Sequence, residues 1–218
     1  MPYTLYESGA KDEKKSGKAS YSITAGTVGN NCDLVKQGKI LVRLPSLDQE
    51  VWARLTAIGA GSGAGFLYVP RSNDEVVVAL NDSDPNDAFV LGGLWSTKDS
   101  PPVSDQLQAT TKRVIKTGIT AGVGHEVEFD DGPGQSITIT TVTKQKIIID
   151  PFKIELSNMA GTLKITLDNK QQTIAVEAPI IKIGGDKTVS IQLNAKNIEM
   201  GGGTTVKTTI QGKMVMIN

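Results

Sequence analysis

The stretch Ile58–Pro70, IGAGSGAGFLYVP, decides between two folds. Gly59, Gly61 and Ala64 satisfy a G-x-G-x-x-G/A spacing, which in a doubly wound α/β protein closes a tight turn under a dinucleotide pyrophosphate. That chemistry requires the glycines to open a helix, because the helix N-terminus supplies the anion site. Here they run into Phe66-Leu67-Tyr68-Val69, a β-prone run stopped by Pro70. The pattern predicts a strand, FLYVP, preceded by a glycine loop that is mobile or closely approached by another backbone.

The flanks extend this reading. KILVRLP (39–45), VWARLTAI (51–58), EVVVAL (75–80) and AFVLGGLW (88–95) are short apolar or alternating runs, separated by the polar turns SLDQ, RSND and NDSDPND. With FLYVP they make about five strands, and no segment before residue 100 carries a 3.6-residue apolar period. Strands this short and close together predict a small closed barrel, which leaves no open sheet edge.

Beyond Pro101-Pro102 the polypeptide changes character. VSDQLQATTKR reads as a polar linker with room for a short helical turn, and residues 114–141 as hairpin-like alternation around the turn DDGPGQ. From there apolar pairs recur: Ile137/Ile139, Ile147/Ile149, Ile154/Leu156, Leu163/Ile165, Ile174/Val176, Ile181/Ile183, Val189/Ile191, Ile198/Met200 and Val215/Ile217. The spacing defines a β-repeat of about 8–9 residues, too short for each unit to bury a core of its own. Two inward aliphatic side chains cannot offset the ordering of a strand's backbone, at roughly 1–2 kcal/mol per residue, so the units must stack. Phe152 is the only aromatic residue after position 135, so the interior of the stack must be narrow. A single-chain β-helix needs longer turns to enclose a core; three chains wound together close a prism with such small side chains, and the repeat favours a trimer.

Composition bounds the function. The 218 residues hold 23 basic and 23 acidic side chains, so no overall charge draws the chain to nucleic acid or membrane. Residues 1–135 carry 13 basic and 17 acidic groups; residues 136–218 carry ten lysines and six acids. No apolar run approaches the ~20 residues of a membrane span. The N-terminus lacks a signal-peptide core and reads as a polar arm. A single cysteine, Cys32, excludes an intrachain disulfide and fits assembly in a reducing cytoplasm. His125 is the only histidine, which leaves little for His-based metal sites or His-dependent catalysis.

LVKQGKILVRLP, VWARL, GAGSGAGFLYVPRSNDEVVVAL, DPNDAFVLGGLW and IKTGITAGVGHEVEFDDGPGQSITITT, in this order, resemble the spike proteins of contractile injection systems. These are the VgrG proteins of type VI secretion and the gpV-like baseplate spikes of contractile phage tails and related particles. The resemblance covers about residues 25–140 by motif and the rest by repeat character. It implies an OB-fold that seats on a baseplate hub, followed by a trimeric β-helical needle that pierces the target envelope. The chain is too short to include the hub-like region of full VgrG proteins, so a separate hub protein is implied, and no fused effector domain is expected after Asn218. The His-x-His pair with which some phage spikes hold iron at the apex does not occur in the sequence.

Two clusters invite a chemical site. GHEVEFDDGPG gathers Glu126, Glu128, Asp130 and Asp131 beside His125, as a divalent-cation site or an acid/base pair would. Strand alternation instead puts His125, Val127 and Phe129 on one face and Glu126, Glu128 and Asp130 on the other, which reads as a solvated strand face. The barrel aromatics Trp52, Tyr68 and Trp95 could stack on bases or sugars. Their surroundings are acidic, with Asp74, Glu75, Asp82, Asp84 and Asp87 nearby in sequence, so they read as core or subunit-contact residues. No GxSxG, HExxH or CxxC motif occurs, and neither enzymatic activity, a cofactor nor a metal is expected.

The resulting expectation is an all-β chain: a polar arm over 1–24, an OB-fold over 25–100, a linker and neck over 101–135, and over 136–218 a trimeric, intertwined triple-stranded β-helix needle. Ile165, Ile183, Ile191 and Ile198 are assigned to the trimer core. Met214, Val215, Met216, Ile217 and Asn218 are assigned to a docking platform, because free strand edges and apolar ends invite a cap. The resemblance implies that this cap is a PAAR-type tip protein. The expected partners are two further copies, a baseplate hub, the tip protein and, transiently, the target envelope, with no nucleic acid. The competing function is an OB-fold carbohydrate- or nucleic-acid-binding module on a β-stalk.

Overall fold

The computed structural model describes residues 20–34, 38–82, 84–118, 120, 123–186, 188, 190–199 and 201. The first half is a closed barrel of β1 (Tyr21–Asn30), β2 (Lys39–Leu44), β3 (Gln49–Leu55), β6 (Glu75–Asn81) and β7 (Asp84–Gly93), in the order β1-β2-β3-β7-β6 with β6 returning to β1. All neighbours are antiparallel except β3 and β7, which run parallel through Arg54–Phe89 and Leu55–Val90. Alternation along the strands sends Ile40, Val42 and Leu44 inward from β2 and Val76, Val78 and Leu80 inward from β6. With Val28, Val51, Ala53, Ala88 and Val90 they form an entirely aliphatic core.

One glycine sets how closely the wall can pack. A Cβ on Gly26 would lie 2.5 Å from Cγ1 of Val42 and 3.0 Å from the carbonyl oxygen of Arg43, so β1 lies against β2 because residue 26 has no side chain. At the other side of the barrel, Val77 faces Gly92 and Val78 faces Val90, so Leu91 is bulged out of register.

Three expectations are corrected here. The run FLYVP is not a strand: the glycines close a miniature hairpin, β4 (Ala60–Gly61) with β5 (Ala64–Gly65), and Phe66–Pro70 crosses from it without ladder partners. The fifth wall strand is β1, which begins at Tyr21, inside the stretch read as a polar arm. Nor do the large aromatics form the core, because so narrow a barrel is filled by Val, Ile and Leu; Trp52, Tyr68 and Trp95 are 40, 53 and 67% exposed.

After the barrel, the short helix α1 (Gln106–Thr111) starts where Asp105 accepts hydrogen bonds from the Leu107 and Gln108 amides. It leads directly into a seven-stranded sheet: β8 (Lys112–Lys116), β9 (Glu126–Asp130), β10 (Ser136–Thr140), β11 (Lys146–Ile149), β12 (Lys153–Ser157), β13 (Lys164–Asp168) and β14 (Thr173–Glu177). Every strand pairs antiparallel with its sequence neighbours, so the segment read as a neck and the first of the repeats after it form one meander.

Asn and Asp end the strands for a local reason. Asp150 Oδ1 accepts from the amides of Phe152 and Lys153, Asp168 Oδ1 from those of Lys170 and Gln171, and Asn158 Oδ1 from that of Leu163. Each side chain satisfies amides that the turn removes from the ladder. Among the described residues no helix is long and apolar enough to cross a membrane.

Candidate functional site

The register of the meander aligns its aliphatic pairs into two columns that run across the strands. One holds Ile115, Val127, Ile139, Ile147, Leu156, Ile165 and Val176; the other holds Phe129, Ile137, Ile149, Ile154, Leu167 and Ile174. Among the described residues nothing covers them. Across β10 to β13 the column residues are each 36–41% exposed, and no strand residue of this sheet is fully buried. A contiguous apolar surface of this extent marks an interaction face.

The opposite face is polar and better covered. Lys112 reaches Glu128 at 2.9 Å and Asp130 at 3.6 Å, Lys116 reaches Glu126 at 2.8 Å, and Lys153 reaches Glu155 at 2.7 Å. The hydrogen bond from Lys153 holds the Glu155 carboxyl below its ordinary range and raises the Lys153 ammonium. The bond to Glu128 raises Lys112 in the same way. Thr166 Oγ1 is buried on this face with no hydrogen-bond partner among the described residues.

The acidic cluster is thereby explained. Glu126, Glu128 and Asp130 share one strand face, as alternation predicts, but they are half-buried and ion-paired to β8 rather than simply solvated. His125 lies before β9; its amide donates to Thr117 Oγ1 and its Nδ1 accepts from the Val142 amide at 3.4 Å.

Of the residues assigned to a trimer core, Ile165 sits in the first column between Leu156 and Val176. Ile183, Ile191 and Ile198 follow β14, are exposed, and belong to no strand of the sheet. Met214, Val215, Met216, Ile217 and Asn218 lie outside the described residues. The pair read as Leu163/Ile165 is carried by the strand as Ile165/Leu167, on the same face. Phe129 and Val127 also belong to the columns; their alternation with Glu126 and Glu128 was the signal for it.

A second concave feature, of about 840 Å³, lies where the barrel meets β8, between the segment Ile58–Arg71, the end of β7 and Ile115. Two contacts fix that junction. Tyr68 donates its hydroxyl hydrogen to the Lys116 carbonyl at 2.9 Å, and Arg71 lies so close to Gly118 that a Cβ there would sit 2.8 Å from Nη1. Trp52 is not part of this cleft, so the three barrel aromatics do not converge on one platform. On the outer barrel wall the Arg54 guanidinium lies 4.4 Å over the Phe89 ring and pairs with Asp87 at 3.1 Å. The G-x-G-x-x-A segment opens no helix; a Cβ on Gly65, at φ +141°, would run into the Gly59 carbonyl oxygen.

Comparison with known proteins agrees with this architecture. Residues 24–95 match the type VI secretion system/phage-baseplate injector OB domain. The chain is similar to the actin cross-linking toxin VgrG1 of Vibrio cholerae, 28% identical over 112 residues, which cover 48% of this chain and 10% of that protein. It is similar to the type VI secretion system spike protein VgrG3 of V. cholerae, 30% identical over 84 residues, 38% of this chain and 8% of that protein. The spike protein VgrG5 of Pseudomonas aeruginosa is 27% identical over 123 residues, covering 52% of this chain and 15% of its own length. The matched stretches thus span 8–15% of these relatives. Residues 24–95 thus match an injector OB domain, and over about half of its length or less the chain is similar to VgrG spike proteins of type VI secretion systems.

Proposed function

We propose that this chain is the central spike of a contractile injection machine, a non-enzymatic homotrimer that transmits sheath force to a narrow point. The observation that carries the proposal is the pair of uncovered aliphatic columns across β8 to β14. Three such faces turned onto one axis bury each other, which no single copy can do. The segment after β14, with Ile183, Ile191 and Ile198, extends the same packing as an intertwined β-helix in the assembled needle. The barrel seats on a baseplate hub. Cross-strand hydrogen bonds and a dry axis make local opening costly, and this stiffness is what a puncturing rod requires.

The test is the mass and shape of the purified chain. Light scattering should give three times the 23.1 kDa of one chain, and small-angle scattering an elongated particle. A compact monomer sinks both the assembly and the function built on it.

At the far end, Met214, Val215, Met216, Ile217 and Asn218 form the seat of a PAAR-type tip protein. Methionine suits such a surface because its flexible thioether adapts to a partner. Deleting residues 211–218 should abolish capture of a co-expressed tip protein while leaving the trimer intact. Capture retained by the shortened trimer would place the seat elsewhere. Assembly takes place in the cytoplasm within the particle, from which the spike is driven toward the target envelope.

A further inference from the structure

The cleft beside the barrel is lined by Ile58, Phe66, Tyr68, Leu94, Trp95 and Ile115. The Phe66 and Tyr68 rings stack at 6.5 Å with 3° between their planes, and both remain largely open to solvent, as do Ile58 and Trp95. Ile115 belongs to two surfaces at once: it lines this cleft and it heads the first aliphatic column of the sheet. The cleft and the sheet face are therefore one continuous apolar surface that turns the corner beneath the barrel.

We infer that the cleft is the barrel-side end of the trimer interface and receives the β8–β9 hairpin of a neighbouring copy, with Phe129 foremost. The inference rests on the trimer proposed above. Copies related by rotation about an axis across the strands hold equal residues at equal height. β8 and β9 are adjacent strands, with Ile115 opposite Val127 and Arg113 opposite Phe129. A neighbour's Phe129 and Val127 thus lie within about one strand spacing, ~4.8 Å, of the height of Ile115. Phe129 is the one aromatic side chain in either column, and a ring is the group that an aromatic-lined slot accommodates in edge-to-face or offset contact. The neighbour's hairpin would brace each barrel against the needle of the next chain.

Trp52→Phe leaves Trp95 as the sole tryptophan, and acrylamide quenching then reads the cleft directly. In the trimer the quenching constant should fall roughly threefold below that of the same chain unfolded in guanidinium, because a filled interface core excludes water and solutes. A trimer in which Trp95 is quenched as freely as in the unfolded chain overturns the inference and leaves the trimer standing; a monomer overturns both. Benzoylphenylalanine in place of Phe66 identifies the occupant. Chain-to-chain photocrosslinks should map to residues 112–130, and crosslinks confined to one chain or mapping to residues 178–199 overturn the assignment of the hairpin.

Discussion

Tyr68 spans the junction between barrel and sheet by donating its hydroxyl hydrogen to the carbonyl oxygen of Lys116 at 2.9 Å. The bond joins a segment that has no ladder partners to the first strand of the meander. Tyr68→Phe keeps the ring stack with Phe66 and deletes only this tie. The expected cost is about 1 kcal/mol, the net worth of one such hydrogen bond. Calorimetry should show the loss, and hydrogen exchange at Thr117 and Gly118 should quicken while the barrel core stays protected. Unchanged exchange there would mean that the barrel is positioned by other contacts.

Ile165 and Thr166 are adjacent and face opposite sides of the sheet. In the proposed trimer Ile165→Asp places three carboxylates around one narrow axis, each costly to bury unpaired, and the variant should elute at the mass of one chain. Thr166→Val removes a buried hydroxyl that has no partner among the described residues and should leave assembly intact, with stability equal to the parent or about 1 kcal/mol higher. A trimer from the first variant, or dissociation of the second, would invert the assignment of the two faces.

Gly26→Ala tests the barrel alone. Its Cβ meets Val42 and the Arg43 carbonyl at distances that force β1 away from β2, an overpacking worth about 1–3 kcal/mol. Thermal denaturation should register the loss, whereas Gly134→Ala, which meets nothing within 4 Å, should melt close to the parent.

Lys153 and Glu155 give the sheet a defined response to pH. The Glu155 carboxyl is lowered from 4.5 by the hydrogen bond from Lys153, so its contribution is complete above about pH 4.5 and is lost as pH falls through its lowered value. Lys153 is raised from 10.5, so its contribution is complete below that pH and disappears as pH rises through the raised value. Urea titrations from pH 6 to pH 2 should show stability falling at the acid end, and Glu155→Gln should flatten that fall. Parallel acid limbs in parent and variant would remove this pair from the account.

Much of this architecture is legible in the residues. β2 and β6 are dense in Val, Ile and Leu and bounded by polar turns, and the structure keeps both as strands, with Leu41 and Val77 among the outward positions. β1 hides because its inward residues are Gly26 and Val28 while Ile23 and Ala25 point out, so neither side contrasts with the other. Phe66-Leu67-Tyr68-Val69 misleads for the opposite reason: its β-propensity is high, but a strand also needs a neighbour to bond, and here Phe66 and Tyr68 stack in a cleft instead. The aliphatic repeat declares the sheet because each pair lies on one face of a strand. The acidic cluster did not declare its partners, since Lys112 and Lys116 reach it only through cross-strand register. The cleft was invisible because it is assembled from segments that are far apart in the chain.

A meander in which each strand bonds only to its sequence neighbours is also a ruler. Lys146 and Lys164 both face Ser157, so β11 and β13 occupy equivalent phases of the repeat. Removing residues 146–163 would bring Ile165 opposite Ile139 and Leu167 opposite Ile137, with chain direction and both apolar columns preserved. The sheet would shorten by two strand spacings, about 10 Å. Excising a single strand instead would reverse the direction of everything downstream. The sheet can therefore be lengthened or shortened only in whole hairpins, and its extent across the strands is quantised in steps of that size.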